Sequence, residues 1–205
     1  MSGGAVARPP IIGLTGGIAA GKTEALSVLE SLGARTLSAD AVVHDLLGSA
    51  ELRDRLVARW GPAIAPDGEV DRQRVSAIVF SDPDELAWLE AELHPRVGAR
   101  LAGWADELPA EVPLAVVEVP LLFETGMDDA FDATIAIVAA DARRAERAEA
   151  VGLPDFDGRG GRQLSQDEKA ARATYVIRND GSRGDLRGAV QDLWPRLVAG
   201  REERQ

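Results

Sequence analysis

The chain has 205 residues, 45% of them hydrophobic, no cysteine and a formal net charge of −11. That length suits one domain, or one core with inserted lobes. The missing cysteines exclude a disulfide framework and a thiolate metal site, and the acidic balance excludes a general nucleic-acid binder, although local positive groups can still hold anionic phosphates. No apolar run approaches the length of a membrane span, and the N-terminus lacks an apolar signal core. The expectation is a cytoplasmic protein with no membrane or nucleic-acid partner and no obligate protein partner.

Residues 1–10 read as a disordered leader ending in Pro9-Pro10. Residues 11–14 form a short apolar run, the pattern of a buried strand. Next comes Gly16-Gly17-Ile18-Ala19-Ala20-Gly21-Lys22-Thr23, a glycine, four residues, then Gly-Lys-Thr. This is the phosphate-binding loop pattern. Ala25, Leu26, Val28, Leu29 and Leu32 follow at helical spacing, with Gly33 as the stop. Strand, Gly-rich turn and helix is the context the pattern needs, because backbone N–H groups of the turn and the helix N-terminus then face the phosphates. Composition adds to this. The chain uses twenty-one arginines but only two lysines, and one lysine is Lys22. A compact ammonium can follow a phosphate through a transfer, whereas a planar guanidinium fork replaces it poorly.

A second strand is expected over 34–37. Asp40 follows it, either as the N-cap of a helix through Leu47 or as a carboxylate at the carboxyl end of a strand, where ligands bind in open α/β sheets. Further helices are expected over 51–60, 71–80 and 83–93, the last capped by Ser81 or Asp82. His94-Pro95 should break the pattern, with a separate helix from Pro95 to near Leu108. Apolar runs over 114–119 and 133–139 read as strands covered on both faces. A helix over 141–150, a Gly-rich loop over 152–161, a helix over 166–172, a short strand over 174–178 and a closing helix over 184–198, interrupted near Pro195, complete the chain; residues 201–205 form a polar tail.

Strands separated by helices predict an α/β fold with a parallel sheet covered by helices on both faces. The expected single domain spans 11–200, with its core at 11–40, 111–140 and 174–199. An all-helical lobe inserted at about 41–110 and a lid at about 141–165 complete it. Two appendages on such a core suit a kinase that closes over two substrates and excludes water.

Chemistry then falls to particular side chains. Lys22 is expected to contact the β- and γ-phosphates of a nucleotide, and the Thr23 hydroxyl to ligate Mg²⁺ directly. Asp40 is the candidate to accept a hydroxyl proton. Glu118, ending the third strand, either holds Mg²⁺ through water or is a strand-end acid with no metal role. Arg143, Arg144, Arg147, Arg159 and Arg162 crowd the lid, interleaved with Glu146, Glu149, Asp155 and Asp157. One or two of these arginines are expected to serve a transferring phosphoryl group, and the rest to form a solvated, salt-bridged face. His94 reads as a helix-boundary or packing residue more readily than as a catalyst.

Several segments resemble the dephospho-coenzyme A kinases. Ile12-Gly13-Leu14-Thr15-Gly16-Gly17-Ile18 with Gly21-Lys22-Thr23 resembles their opening, as does Leu32-Gly33-Ala34 leading to Ser38-Ala39-Asp40. Val79-Phe80, Leu93-His94-Pro95, Val119-Pro120-Leu121-Leu122-Phe123-Glu124, Lys169-Ala170-Ala171-Arg172-Ala173, Tyr175-Val176-Ile177 and Asn179-Asp180-Gly181 match in the same order, over about residues 11–195. The resemblance implies a P-loop kinase fold of the nucleoside-monophosphate-kinase kind. It implies transfer of the ATP γ-phosphoryl group, with Mg²⁺, to the 3′-hydroxyl of dephospho-coenzyme A. It makes Asp40 the base, Arg147 the lid arginine near the phosphates and Arg159 its partner. It also assigns the helical lobe to the acceptor, with Asp40, His44, His94 and Glu124 as acceptor-site candidates.

The chain departs from the family pattern at four places. Ser38 replaces an Asp, His44 an Arg, Val151 a second lid arginine, and Gly160-Gly161-Arg162 the usual small apolar residues. His44 implies weaker acceptor binding, which His44→Arg should improve, because a mostly neutral imidazole does not replace a permanent cation. The rival readings fit less well. A regulatory GTPase needs an Asn-Lys-x-Asp segment, and the other lysine sits in Asp167-Glu168-Lys169-Ala170. A kinase for another small phosphorylated acceptor lacks the His-Pro and Pro-Leu-Leu-Phe-Glu segments. A module that binds nucleotide without turnover has no need of Lys22, Thr23 and Asp40 together.

Overall fold

Three apolar runs of this chain form the centre of a parallel sheet, buried on both faces, and two shorter, more exposed strands pair along its edges. In the computed structural model, which describes residues 8–153 and 163–199, the strands are β1 (Ile11–Gly16), β2 (Arg35–Ser38), β3 (Ala115–Glu118), β4 (Ala133–Val138) and β5 (Tyr175–Arg178). Their order is β2-β3-β1-β4-β5, and every neighbouring pair is parallel. Leu14 stands opposite both Glu118 and Ile135, and Glu118 stands opposite Ser38. The carboxyl ends of β2 and β3 are therefore level, and β1 runs two residues beyond them to Gly16.

Alternation divides the sheet residues between two faces. Ile12, Leu14, Val116, Ile135 and Ile137 share a core with Val28 and Leu29 of α1 (Lys22–Ser31) and with Val190 and Leu197 of α8 (Arg183–Ala199). Gly13 and Thr15 face the other way. A Cβ on Gly13 would lie 2.9 Å from the Phe131 ring, so only glycine fits beneath it. On this side α7 (Gln166–Arg172) packs against β1 and β4. The remaining helix of this part of the chain is α6 (Asp141–Ala150).

The chain divides into two compact units. Residues 1–38 and 107–205 form the sheet unit, and Ala39–Asp106 the other. The second is helical: α2 (Ala39–Leu47), α3 (Ala50–Trp60), a 3₁₀ turn at Pro62–Ile64, α4 (Arg72–Ser81) and α5 (Pro83–Asp106). Leu52, Leu56, Ile64, Val75, Leu89 and Leu93 form its core. Ser49 caps α3 by accepting from the Leu52 N–H, and Asp71 caps α4 by accepting from Gln73 and Arg74. On the surface, Arg59 and the Trp60 indole N–H both donate to Glu85, at 2.9 and 2.7 Å, and hold that carboxyl below the usual glutamate range.

Three expectations need correction. Helix α5 does not break at His94-Pro95 but runs unbroken for 24 residues. Leu89, Leu93, Val97, Leu101 and Ala105 are buried at four-residue intervals along it. An internal proline costs roughly 3 kcal/mol, and each buried Leu or Val returns about 1.5–3 kcal/mol, so keeping the stripe in register outweighs the break. Arg96 Nη1 donates to the Glu92 carbonyl at 2.6 Å and satisfies one carbonyl of the disturbed turn. Helix α8 likewise continues through Pro195, with Leu186, Val190, Leu193 and Leu197 buried. Finally, the expected leader does not include residues 8–10: Pro9 and Pro10 are buried, and the Pro10 carbonyl accepts from Ala115 N–H at 2.9 Å. Residues 1–7 and the expected tail lie outside the described residues.

Candidate active site

The loop between β1 and α1 is a cradle of backbone groups. Gly21 precedes the helix at φ 108° and offers no side chain to cap it. The first N–H groups of α1 are thus left for an external acceptor. A Cβ at Gly21 would lie 2.3 Å from Asn179 Nδ2, and one at Gly16 would lie 2.3 Å from the Ile137 carbonyl oxygen. Both positions also have φ in the left-handed half of the map, so each glycine is required twice over. Ala19 holds the same kind of conformation at φ 58° without that freedom.

Side chains from the sheet unit hold the loop in place. Arg144 Nε donates to the Ile18 carbonyl at 3.0 Å, and its Nη1 to Asp141 at 2.8 Å. Asn179 Nδ2 donates to the Ala20 carbonyl at 2.8 Å. Lys22 Nζ donates to the Gly16 and Gly17 carbonyls at 3.0 and 3.2 Å and lies 3.9 Å from Glu118 Oε1. The ammonium thus lies between the loop and the end of β3.

A cavity of about 710 Å³ opens on this loop, lined among others by Lys22, Thr23, Arg147, Val151, Asn179 and Arg183. Thr23 lines it from the first turn of α1. Arg147 Nη2 donates to the Asn179 and Gly181 carbonyls, while its buried Nη1 has no partner among the described residues. A guanidinium held by carbonyls keeps its charge available to an anion. Arg143, by contrast, pairs with Glu146 on the exposed surface. Of the three described arginines of this segment, Arg144 and Arg147 donate to backbone carbonyls and Arg143 does not. Arg159 and Arg162 lie outside the described residues. Val151 borders the cavity and is 69% exposed.

Sequence reasoning missed a second polar centre beneath the loop. Lys169 is completely buried and its Nζ meets Glu124 Oε1 at 2.7 Å, the Pro120 carbonyl at 2.9 Å and Thr15 Oγ1 at 3.4 Å. Glu124 Oε1 also accepts from Leu164 N–H at 2.8 Å. Ser165 and Glu168 form a reciprocal capping box at the start of α7, and the Ser165 N–H holds the Glu168 carboxyl below the usual glutamate range. A signal was present in the chain: Lys169 is its only lysine besides Lys22.

The helical unit carries the other candidates. Asp40 lies inside the first turn of α2, one residue past its start, so it is not the N-cap of that helix. His44 lies one turn further along the same face. The Arg72 guanidinium lies against its two ring nitrogens, at 2.5 and 2.6 Å. His94 is exposed in the middle of α5 rather than at a helix boundary.

Residues 10–185 match the family model described as dephospho-CoA kinase. The dephospho-CoA kinase of Symbiobacterium thermophilum is 38% identical over 93% of this chain and 82% of its own length. That of Anaeromyxobacter dehalogenans is 36% identical over 95% of each. A crystal structure of a Thermus thermophilus protein superposes with a TM-score of 0.80 at 34% identity, covering 93% of this chain and 99% of that one. The dephospho-CoA kinase of Campylobacter jejuni gives 0.68 at 25% identity, covering 93% and 98%. A shikimate kinase from Bacteroides thetaiotaomicron shares the fold alone, at 0.51 and 16%.

Proposed function

We propose that this chain, which belongs to the dephospho-CoA kinase family, transfers the γ-phosphoryl group of ATP to the 3′-hydroxyl of dephospho-coenzyme A in the cytoplasm, giving coenzyme A and ADP. The observation that carries the reading is the cavity on the phosphate-binding loop, where Lys22, Thr23 and Arg147 converge. In that reading the loop N–H groups and Lys22 hold the β- and γ-phosphates, and Arg147 takes up charge on the transferring group. The acceptor oxygen attacks the γ-phosphorus while the bond to the β-phosphate oxygen breaks. The hydroxyl proton passes to the Asp40 carboxylate.

The donor set fits Mg²⁺. Among the described residues there is no group of three or more His, Cys, Asp or Glu able to hold a metal. Mg²⁺ in a phosphoryl-transfer site binds mainly phosphate and water oxygens with one or two protein oxygens, and Thr23 lies at the cavity to offer one. The Thr23 hydroxyl, and Glu118 through water, would hold it, and it would neutralise charge on the phosphoryl oxygens.

For the acceptor we assign the helical unit, with Arg72 as an anion contact alongside His44. The guanidinium against the imidazole supplies the permanent charge that histidine lacks at position 44. Arg72→Ala should raise the acceptor KM about tenfold, the worth of one charge-assisted hydrogen bond, and leave the ATP KM unchanged. The arrangement also alters what His44→Arg should do, since the new guanidinium would meet Arg72. His44→Arg should restore acceptor binding when Arg72 is alanine and improve it little otherwise. An unchanged acceptor KM in Arg72→Ala removes Arg72 from the site.

The functional reading is tested by incubating the protein with ATP, Mg²⁺ and dephospho-coenzyme A and following coenzyme A and ADP by mass. Both should appear in equal amounts. Product no greater than in a Lys22→Ala control rejects it.

A further inference from the structure

The buried pair of Lys169 and Glu124 lies outside the cavity and makes no contact that phosphoryl transfer requires. From its geometry we infer that Lys169 and Glu124 are positioning residues that lock the start of the phosphate-binding loop to the base of α7; the catalytic consequence rests on the kinase reading above, the structural one does not. An ammonium has three donors and no acceptor. Here three oxygens surround it: Glu124 Oε1, the Pro120 carbonyl and Thr15 Oγ1. Thr15 Oγ1 in turn donates to the Pro120 carbonyl at 3.1 Å.

Each partner belongs to a different part of the site. Thr15 immediately precedes Gly16 and Gly17, the two carbonyls that hold Lys22. Pro120 lies two residues beyond Glu118. Glu124 accepts from Leu164, next to the Ser165 cap of α7. One ammonium therefore joins the ends of β1 and β3 to the helix that follows the lid segment. A second contact from the same helix points the same way. Gln166, three residues before Lys169 on α7, abuts the loop: a Cβ on Gly17 would lie 2.5 Å from its Nε2.

Stability alone is a weak reason for such a pair. Well-packed apolar residues commonly replace a buried ion pair without loss, whereas removing one partner strands the other charge. What apolar replacements cannot do is specify the direction of the Thr15 hydroxyl and the Pro120 carbonyl, and with them the start of the loop. Glu124 Oε1 is thereby engaged with Lys169 and Leu164, while its Oε2 is buried without a hydrogen-bond partner among the described residues.

The test compares Lys169→Met, the double variant Lys169→Met/Glu124→Leu, Thr15→Val and Thr15→Ser. Amide hydrogen exchange of the ligand-free proteins is measured together with kcat and both KM values. Lys169→Met should lower the melting temperature, and the double variant should recover it. In the double variant and in Thr15→Val, amides of residues 16–22 should exchange about tenfold faster than in the parent, with the amides of β4 unchanged, since only a local opening is made easier. The kcat of both should fall about a hundredfold, as expected when reacting groups lose about 1 Å of alignment, with little change in acceptor KM. Thr15→Ser, which keeps the hydroxyl, should stay close to the parent. Parent-like exchange over 16–22 in Thr15→Val overturns the inference, as does a kcat that returns with stability in the double variant. If the parent protein itself shows no kinase activity, the exchange measurement still decides this inference, while the functional reading fails separately.

Discussion

Lys22→Met is expected to lower kcat by about a thousandfold while the protein melts within a few degrees of the parent. In this structure the ammonium is bound to two carbonyls of its own loop and sits close to Glu118, with little of its side chain exposed. Methionine keeps most of the stem's volume and gives up two hydrogen bonds to the buried Gly16 and Gly17 carbonyls, each worth about 1 kcal/mol net. The fold therefore loses only this much. Catalysis loses a positive charge aimed at oxygens that gain negative charge during transfer. One preorganised donor of that kind is worth about 10²–10³ in kcat, and a full charge in a site that excludes water belongs at the upper end. The check is steady-state turnover beside a melting curve and ATP binding by calorimetry. A variant that turns over within tenfold of the parent removes Lys22 from the chemistry.

Asp40→Asn should separate turnover from binding. Asparagine has the same shape and can no longer accept a proton. If Asp40 is the base, kcat falls by about 10²–10⁴ while the ATP KM stays put. A structural role makes a different and smaller prediction. Asp40 lies in the first turn of α2, where a negative charge favours the helix by about 0.3–1 kcal/mol through the macrodipole. Losing only that would shift the melting temperature by a few degrees and leave turnover nearly whole. Equal loss of kcat and ATP affinity would falsify the assignment of Asp40 as base.

The parts of the protein that could be read from the chain are those whose causes are local. The phosphate-binding loop needs glycines at set places and a lysine at one, so its pattern is contiguous. The strands at 11–16, 115–118 and 133–138 were legible as the apolar runs 11–14, 114–119 and 133–139 because both their faces are buried. The helix over 166–172 was expected from the chain, and the structure closes its start with a capping box of Ser165 and Glu168. Asp40 was harder. The same acid after a strand suits either a cap or a site, and only the backbone places it inside the helix.

Where the reading failed, the deciding forces came from far along the chain. Pro95 and Pro195 signal breaks in any local rule, yet both helices continue because stripes of buried Leu and Val are kept whole by packing. Pro9 and Pro10 read as leader, yet the Pro10 carbonyl joins the sheet through Ala115. Arg72 stands twenty-eight residues from His44 and had no sequence signal as its partner. So it is with the two lysines. The sequence by itself determined Lys22 and its loop, because the two carbonyls that hold the ammonium lie within six positions of it; only the fold brought Glu118 to 3.9 Å from it. Lys169 was only a second rare lysine until the fold placed it under Thr15, 154 residues away. Tertiary structure alone decided its role, because a buried charge takes its meaning from the oxygens around it, and those come from two distant segments of the chain, Thr15 and the stretch from Pro120 to Glu124.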